Sequence, residues 1–200
     1  VSRVAVCSVV PALDHSLRNC IRKYFAGRAF FLQPGTKTGL KIAYRNPVEV
    51  GADRVSNAIA AVDLYPQQNL IIADMGTATT VDAVSKDREF LGGVILAGMG
   101  ISAEVLESRT ARLPSVEIVR PPSVIGRSTV ENIQSGLYYG HLGMLRELIR
   151  GMSKEAFPDE PVTVLGTGGF SSLFSGAGVF DREIPDLVLR GLWLALKHND

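Results

Sequence analysis

Apolar residues fall into short runs along the chain, and the runs change character near residue 66. The stretch "VAVCSVVP" from Val4 is a continuous apolar run stopped by Pro11, which predicts a buried strand. Asp14 is then placed to cap a helix in which Leu17, Cys20, Ile21, Tyr24 and Phe25 recur at helical spacing. "AFFLQ" predicts another strand, and "KIAYRNP" a short extended piece, because the residue before a proline avoids the helical region. From Asp53 to Leu64 the pattern predicts a helix with Ala58, Ala61, Val62 and Tyr65 available for packing. "PQQN" at 66–69 is turn-forming and predicts a boundary between a first lobe, residues 1–67, and a second, residues 68–200.

Beyond that boundary "LIIADM", "TTVDAVS" and "EFLGGVILAG" predict three strands in quick succession, with Lys86 and Asp87 in the second turn. Links this short favour antiparallel neighbours, since a parallel pair needs a long crossover. A helix is predicted from Ile101 to Arg109. Ser128-Thr129-Val130-Glu131 has the form of a capping box and opens a long helix running to about Met152. "VTVLG" predicts a strand, "GTGGFSSLFSGAG" a glycine loop, and Asp186 to Lys197 a final helix. The order implies an α/β fold with mixed sheets rather than a parallel doubly wound sheet.

Composition narrows the function. With 21 basic and 20 acidic residues the net charge is +1, which argues against nucleic acid or an anionic membrane as partner. The hydrophobic share of 46% and charged share of 20% suit a globular chain. Cys7 and Cys20 are too few for a disulfide framework, and with His15, His141 and His198 they show no metal-ligand spacing. No run reaches membrane-spanning length and no charged-then-apolar leader pattern is read, so a reducing cytoplasm is the expected compartment.

The most unusual turn is "DMGTATT", where Asp74, Gly76, Thr77, Thr79 and Thr80 interrupt two strand-like runs. Glycine and threonine supply backbone N–H groups and hydroxyls that can converge on a phosphate, although the G-x-x-x-x-G-K-[ST] pattern is absent. A carboxylate beside such an anion is unfavourable: two unit charges about 4 Å apart repel by roughly 4 kcal/mol at an effective dielectric near 20. A cation between them removes that penalty. Two readings stand, a nucleotide site in which Asp74 shares an ion with phosphate, and a polar hairpin in which Asp74 caps its own turn.

"NPVEVGADRVSNAIAAV" is the second candidate. Asp53 is either an N-cap with Arg54 as its solvated neighbour, or a general base with Arg54 binding an anionic substrate group. "GMGISA" at 98–103 satisfies a dinucleotide-binding spacing, with Glu117 near the distance of a ribose-binding acid, yet it follows tightly linked strands, which favours a plain strand-to-helix connection. Thr129 begins a helix, where its hydroxyl can meet a carboxylate or phosphate or serve only the cap. Gly166, Gly168 and Gly169 suit backbone approaching a flat ligand, or simple loop closure. His141 reads as packed or solvated rather than catalytic, the Tyr138–Tyr139 pair as core or interface residues, and Cys7 as a small core residue.

Taken in order, "NPVEVGADRVSNAIAAV", "DMGTATTVDAVSKDREFLGGVILAGMGISAEVLESRTARLP", "IGRSTVENIQSGLYYG" and "GTGGF" resemble the type III pantothenate kinase family, some members of which are called Bvg accessory factor-like. The resemblance implies an actin-like fold of two lobes, of the acetate and sugar kinase type, with ATP bound between them and a homodimeric assembly. It implies that Gly51, Ala52, Asp53 and Arg54 bind pantothenate, with Asp53 the proton acceptor, and that Thr129 and Tyr44 also line that site. It assigns Gly76, Thr77 and Gly168 to ATP and Asp74 to a monovalent cation, K⁺ or NH₄⁺, alongside Mg²⁺ on the nucleotide. Family members open with a D-x-G-N-T phosphate loop that is not found before "VAVCSVVP". A chain of this extent is therefore expected to lack the first lobe's leading strands and one phosphate turn, and to bind ATP weakly. Two alternatives accompany this reading: a non-catalytic binding or regulatory protein, and a related kinase for a sugar or small acid.

Overall fold

The computed structural model describes residues 3–25 and 29–200, and its first strand, β1 (Val4–Val6), is shorter than the apolar run that announces it. Pro11 does not merely end the run. It opens α1 (Pro11–Tyr24), where the missing N–H of a first-turn proline is harmless. Asp14 therefore lies inside the first turn and does not cap the helix, whose N-cap is Val10. β2 (Ala29–Phe31) runs parallel to β1, with Ala5 opposite Phe30. β3 (Lys41–Ile42) and a short 3-10 turn (Pro47–Glu49) lead into α2 (Ala52–Leu64), which begins one residue before the predicted start.

β4 (Asn69–Met75), β5 (Ala78–Val84) and β6 (Glu89–Ala97) form the expected meander, followed by α3 (Met99–Arg109) and α4 (Thr129–Ala156). β7 (Val162–Thr167), β8 (Arg182–Glu183) and α5 (Leu187–His198) complete the chain. The capping box at α4 is present in modified form: the Glu131 amide donates to Ser128 Oγ (3.2 Å), and the Glu131 carboxylate accepts from the Arg127 amide (2.6 Å).

The chain divides into two compact units. The first comprises Val1–Gln68, residues 84–92 and residues 186–200. Its core gathers Leu32, Ile59, Leu192 and Ala195, with Ala5, Cys7, Phe30 and Val55 packed around them. α2 is rich in small residues, and Gly191 of α5 lies directly against the Ser56 carbonyl, while Ser56 Oγ donates to the Val188 carbonyl at 2.7 Å. Parallel β3 pairs with the start of β6, Ile42 opposite Phe90.

The second unit, residues 69–83 and 93–185, is built on strands in the order β6-β5-β4-β7-β8. β4 and β7 are parallel and in register from Asn69–Val162 to Asp74–Thr167. Leu70, Ile71, Ile72 and Leu165 are almost fully buried, as continuous apolar runs in parallel strands require. Among the described residues no helix is long and apolar enough to cross a membrane.

Candidate functional site

Candidate residues of the first unit meet where α2 begins. Gly51 is the N-cap of α2, and a Cβ there would lie 2.5 Å from Asp53 Oδ1, so glycine gives the carboxylate room to fold back over the chain. Asp53 Oδ1 accepts the Arg54 amide at 2.8 Å, and the positive end of the helix favours a carboxylate in this first turn. Asp53 is thus not the N-cap that the simpler sequence reading made it. Nor is Arg54 solvated: it is 5% exposed, with its guanidinium 5.5 Å from the centre of the Phe90 ring. Tyr44 packs against the same ring, centroids 6.3 Å apart. Gly92 lies beside the Tyr44 ring at φ +122°, a backbone conformation that residues other than glycine rarely adopt. Phe90 therefore joins Tyr44 to Arg54, a role its place in an apolar run conceals. Gly51 and Ala52 also border a cavity of about 530 Å³ within this unit, together with Ser8, Gln33 and Thr36.

Cys7 is coupled to this site. Burial, and secondarily the negative charge of Asp53, push its thiol from an ordinary 9.0 up to about 12. The folded chain thus keeps a proton that the unfolded chain releases at lower pH. This contribution to stability is complete below pH 9.0 and is lost as pH rises toward about 12. Cys7→Ala is expected to flatten part of the alkaline fall in the denaturation midpoint. In alkylation at neutral pH followed by mass spectrometry, exposed Cys20 is expected to be modified well before half-buried Cys7.

Candidate residues of the second unit meet at the carboxyl ends of β4 and β7, where parallel strands commonly present ligands. The Gly76 amide donates to the Ala78 carbonyl at 3.1 Å and closes the turn between β4 and β5. Gly168 follows β7 at φ +89°. A Cβ on it would lie 2.5 Å from Asp74 Oδ1 and 2.6 Å from the Met75 backbone, so only glycine allows this approach. The Phe170 amide then donates to the Met75 carbonyl at 3.2 Å. On the other side, a Cβ on Gly98 would stand 2.2 Å from the Thr77 carbonyl oxygen, which brings the N-terminus of α3 against the same turn. Gly98 is the one-residue link from β6 to α3, so "GMGISA" is a strand-to-helix connection here.

Asp74, Gly76, Thr77 and Gly168 are thus brought together. The threonines do not act as one set: Thr77 is exposed at the turn, whereas Thr79 is 1% exposed. Thr129 occupies the first position of α4, exposed beside a groove of about 540 Å³ that Ser102, Leu106, Ile133 and His141 also line. His141 is buried, its ring nitrogens 2.9 Å from the Leu137 carbonyl and 3.3 Å from that of Ala97, in keeping with a packing role.

Among the described residues no three His, Cys, Asp or Glu side chains cluster as a metal site. The Asp74 turn instead offers one carboxylate, backbone oxygens and a helix N-terminus. That donor set fits a weakly held hard cation beside an anion, and does not fit a transition metal.

A family model for type III pantothenate kinase matches residues 1–151. A type III pantothenate kinase of Legionella pneumophila is 54% identical over 199 residues, covering 100% of this chain and 78% of that protein. One from Elusimicrobium minutum is 45% identical, again over 100% of this chain and over 77% of the relative. Type III pantothenate kinase 1 of Francisella tularensis is 42% identical with coverage of 100% and 78%. Among solved structures, a Baf family protein of Campylobacter jejuni aligns with a TM-score of 0.62 at 20% identity, covering 100% of this chain and 84% of that one. At that identity the likeness concerns the fold.

Proposed function

Because the chain belongs to the type III pantothenate kinase family, we propose that it phosphorylates the primary hydroxyl of pantothenate with ATP, the first step toward coenzyme A. The observation that carries this reading is the convergence of Asp74, the β4–β5 turn and Gly168 at the ends of two parallel strands, a backbone cradle suited to a triphosphate with its cation. The mixed α/β fold is read as actin-like.

Asp53 takes the proton of the pantothenate hydroxyl. The freed oxygen attacks the γ-phosphorus in line, forming one P–O bond as the bond to the β-phosphate oxygen breaks and ADP leaves. Arg54 faces the substrate carboxylate, and Gly51, Ala52 and Tyr44 shape its pocket, while Thr129 is assigned to pantothenate by the family resemblance alone. Gly76, Thr77 and Gly168 line the ATP site, with the Thr77 hydroxyl as a donor and the two glycines letting the nucleotide approach the backbone closely. Mg²⁺ and K⁺ or NH₄⁺, when bound, would neutralise charge on the triphosphate, with Asp74 holding the monovalent ion. A homodimer is the expected assembly.

ADP release in a coupled assay is expected to depend on pantothenate and to fall when K⁺ is replaced by Na⁺. Asp74→Asn is expected to raise the KM for ATP by about 10–100-fold, as loss of a charge-assisted contact implies, and to leave the KM for pantothenate nearly unchanged. ADP release indifferent to pantothenate, or stimulated instead by sugars, would reject the substrate assignment.

A further inference from the structure

We propose that Ser171 is a positioning residue for the nucleotide, a role that rests on the assignment of Gly168 to ATP. Ser171 is 2% exposed, at the start of a 3-10 turn (Ser171–Phe174) that follows the glycine loop. Its hydroxyl and its own amide both donate to the Gly168 carbonyl, at 2.9 and 3.1 Å. Two donors on one carbonyl fix the plane of the peptide between Gly168 and Gly169. That peptide is trans, so its N–H points opposite to its C=O. With the carbonyl drawn toward the buried Ser171, the Gly169 amide is turned the other way. Gly169 is exposed, and nothing lies within 4 Å of where its Cβ would be.

The same loop is anchored on its other side by the Phe170 amide on the Met75 carbonyl (3.2 Å), and Gly168 lies against Asp74 Oδ1. Ser171 thereby turns a backbone donor outward from a loop that lies against the Asp74 turn, and this donor is available to an acceptor atom of the nucleotide. Phe170 and Gly169 cannot set this orientation themselves, because neither has a side-chain hydrogen-bonding group. Without the hydroxyl, only the single amide of Ser171 would hold a peptide flanked by two flexible glycines.

Steady-state kinetics on the whole chain test the assignment. Ser171→Ala is expected to raise the KM for ATP by about five- to tenfold, with the KM for pantothenate and the melting temperature nearly unchanged. Ser171→Thr, which keeps the hydroxyl, is expected to restore the ATP KM to within about twofold of the parent. Ser171→Cys keeps the volume but offers only a weak donor, so it gives the same comparison if the alanine variant folds poorly. An unchanged ATP KM in Ser171→Ala, or equal losses for both substrates, would overturn the positioning role. The Gly169 amide resonance separates this failure from failure of the nucleotide site. Titration of the parent chain with Mg·ATP is expected to shift it. No shift would dismiss nucleotide binding at this loop and the Ser171 role with it, whereas a shift of equal size and midpoint in Ser171→Ala would dismiss Ser171 alone.

Discussion

Asp53→Asn is expected to lower kcat by about 10²–10⁴-fold, the contribution of a general base, while the melting temperature moves by only a few degrees. Asparagine retains an oxygen that can accept the Arg54 amide, so the 2.8 Å bond at the start of α2 survives. What is lost is a negative charge in the first helical turn, worth roughly 0.3–1 kcal/mol. In a chain of this size that shifts the melting temperature by about 1–4 °C. A proton acceptor and a purely structural residue therefore separate cleanly: the acceptor loses turnover and keeps its fold, whereas a residue that only supports the helix start keeps both. Circular dichroism melts and kcat from one preparation decide between them. Removing the carboxylate also removes the second influence on Cys7, so its thiol is expected to titrate lower in this variant.

Gly191→Ala is expected to produce the largest loss of stability of any single methyl addition in the first unit. The new Cβ would lie 1.7 Å from the Ser56 carbonyl oxygen and 2.9 Å from its hydroxyl. The obstacle is backbone, so no side-chain rotation relieves it, and α5 must move away from α2. That movement stretches the bond from Ser56 to the Val188 carbonyl and opens the packing around Ile59, Leu192 and Ala195. Overpacking of this kind costs about 1–3 kcal/mol or more, while alanine regains at most about 1 kcal/mol of helix propensity. A fall of roughly 2 kcal/mol in unfolding free energy is the expected net result, measured from the urea midpoint. Since α2 carries Asp53 and Arg54 in its first turn, turnover is expected to fall as well. An unchanged midpoint would mean that the two helices are not in backbone contact at Gly191.

The elements that local pattern alone determines were legible in the sequence. β4, β5 and β6 are apolar runs joined by very short turns, and α4 announces itself through Ser128 and Glu131. Proline is ambiguous at α1, because Pro11 serves equally to stop a strand and to open a helix, and Asp14, a residue type common at caps, sits inside the first turn instead. α3 begins two residues early because Gly98-Met99-Gly100 has the composition of a loop although its backbone is already helical at Met99. β8 was invisible: Arg182 and Glu183 are exposed, and backbone bonds hold the pairing, with the Asp181 and Ile184 amides on the Val164 and Gly166 carbonyls (both 2.8 Å).

The candidate site divides in the same way. The turn holding Asp74, Gly76 and Thr77 stands out because a carboxylate among glycines and hydroxyls is an unusual use of a turn, whereas the assignment of these residues and Gly168 to ATP and a cation comes from the family resemblance. The approach of Gly168 to Asp74, the contact of Gly98 with Thr77, the burial of Arg54 and the position of Phe90 between Arg54 and Tyr44 are tertiary facts without a local signature. Ser171 was hidden for a related reason. A serine after a glycine loop reads as loop composition until its hydroxyl is found on the Gly168 carbonyl.

The most direct test of the central claim is the identity of the product. Phosphorus NMR of the chain incubated with pantothenate, K⁺, and Mg·ATP well above its KM is expected to show a new phosphomonoester on the primary hydroxyl of pantothenate, growing in step with ADP and absent with Asp53→Asn. ATP left intact, or ADP accompanied only by inorganic phosphate, would contradict the account.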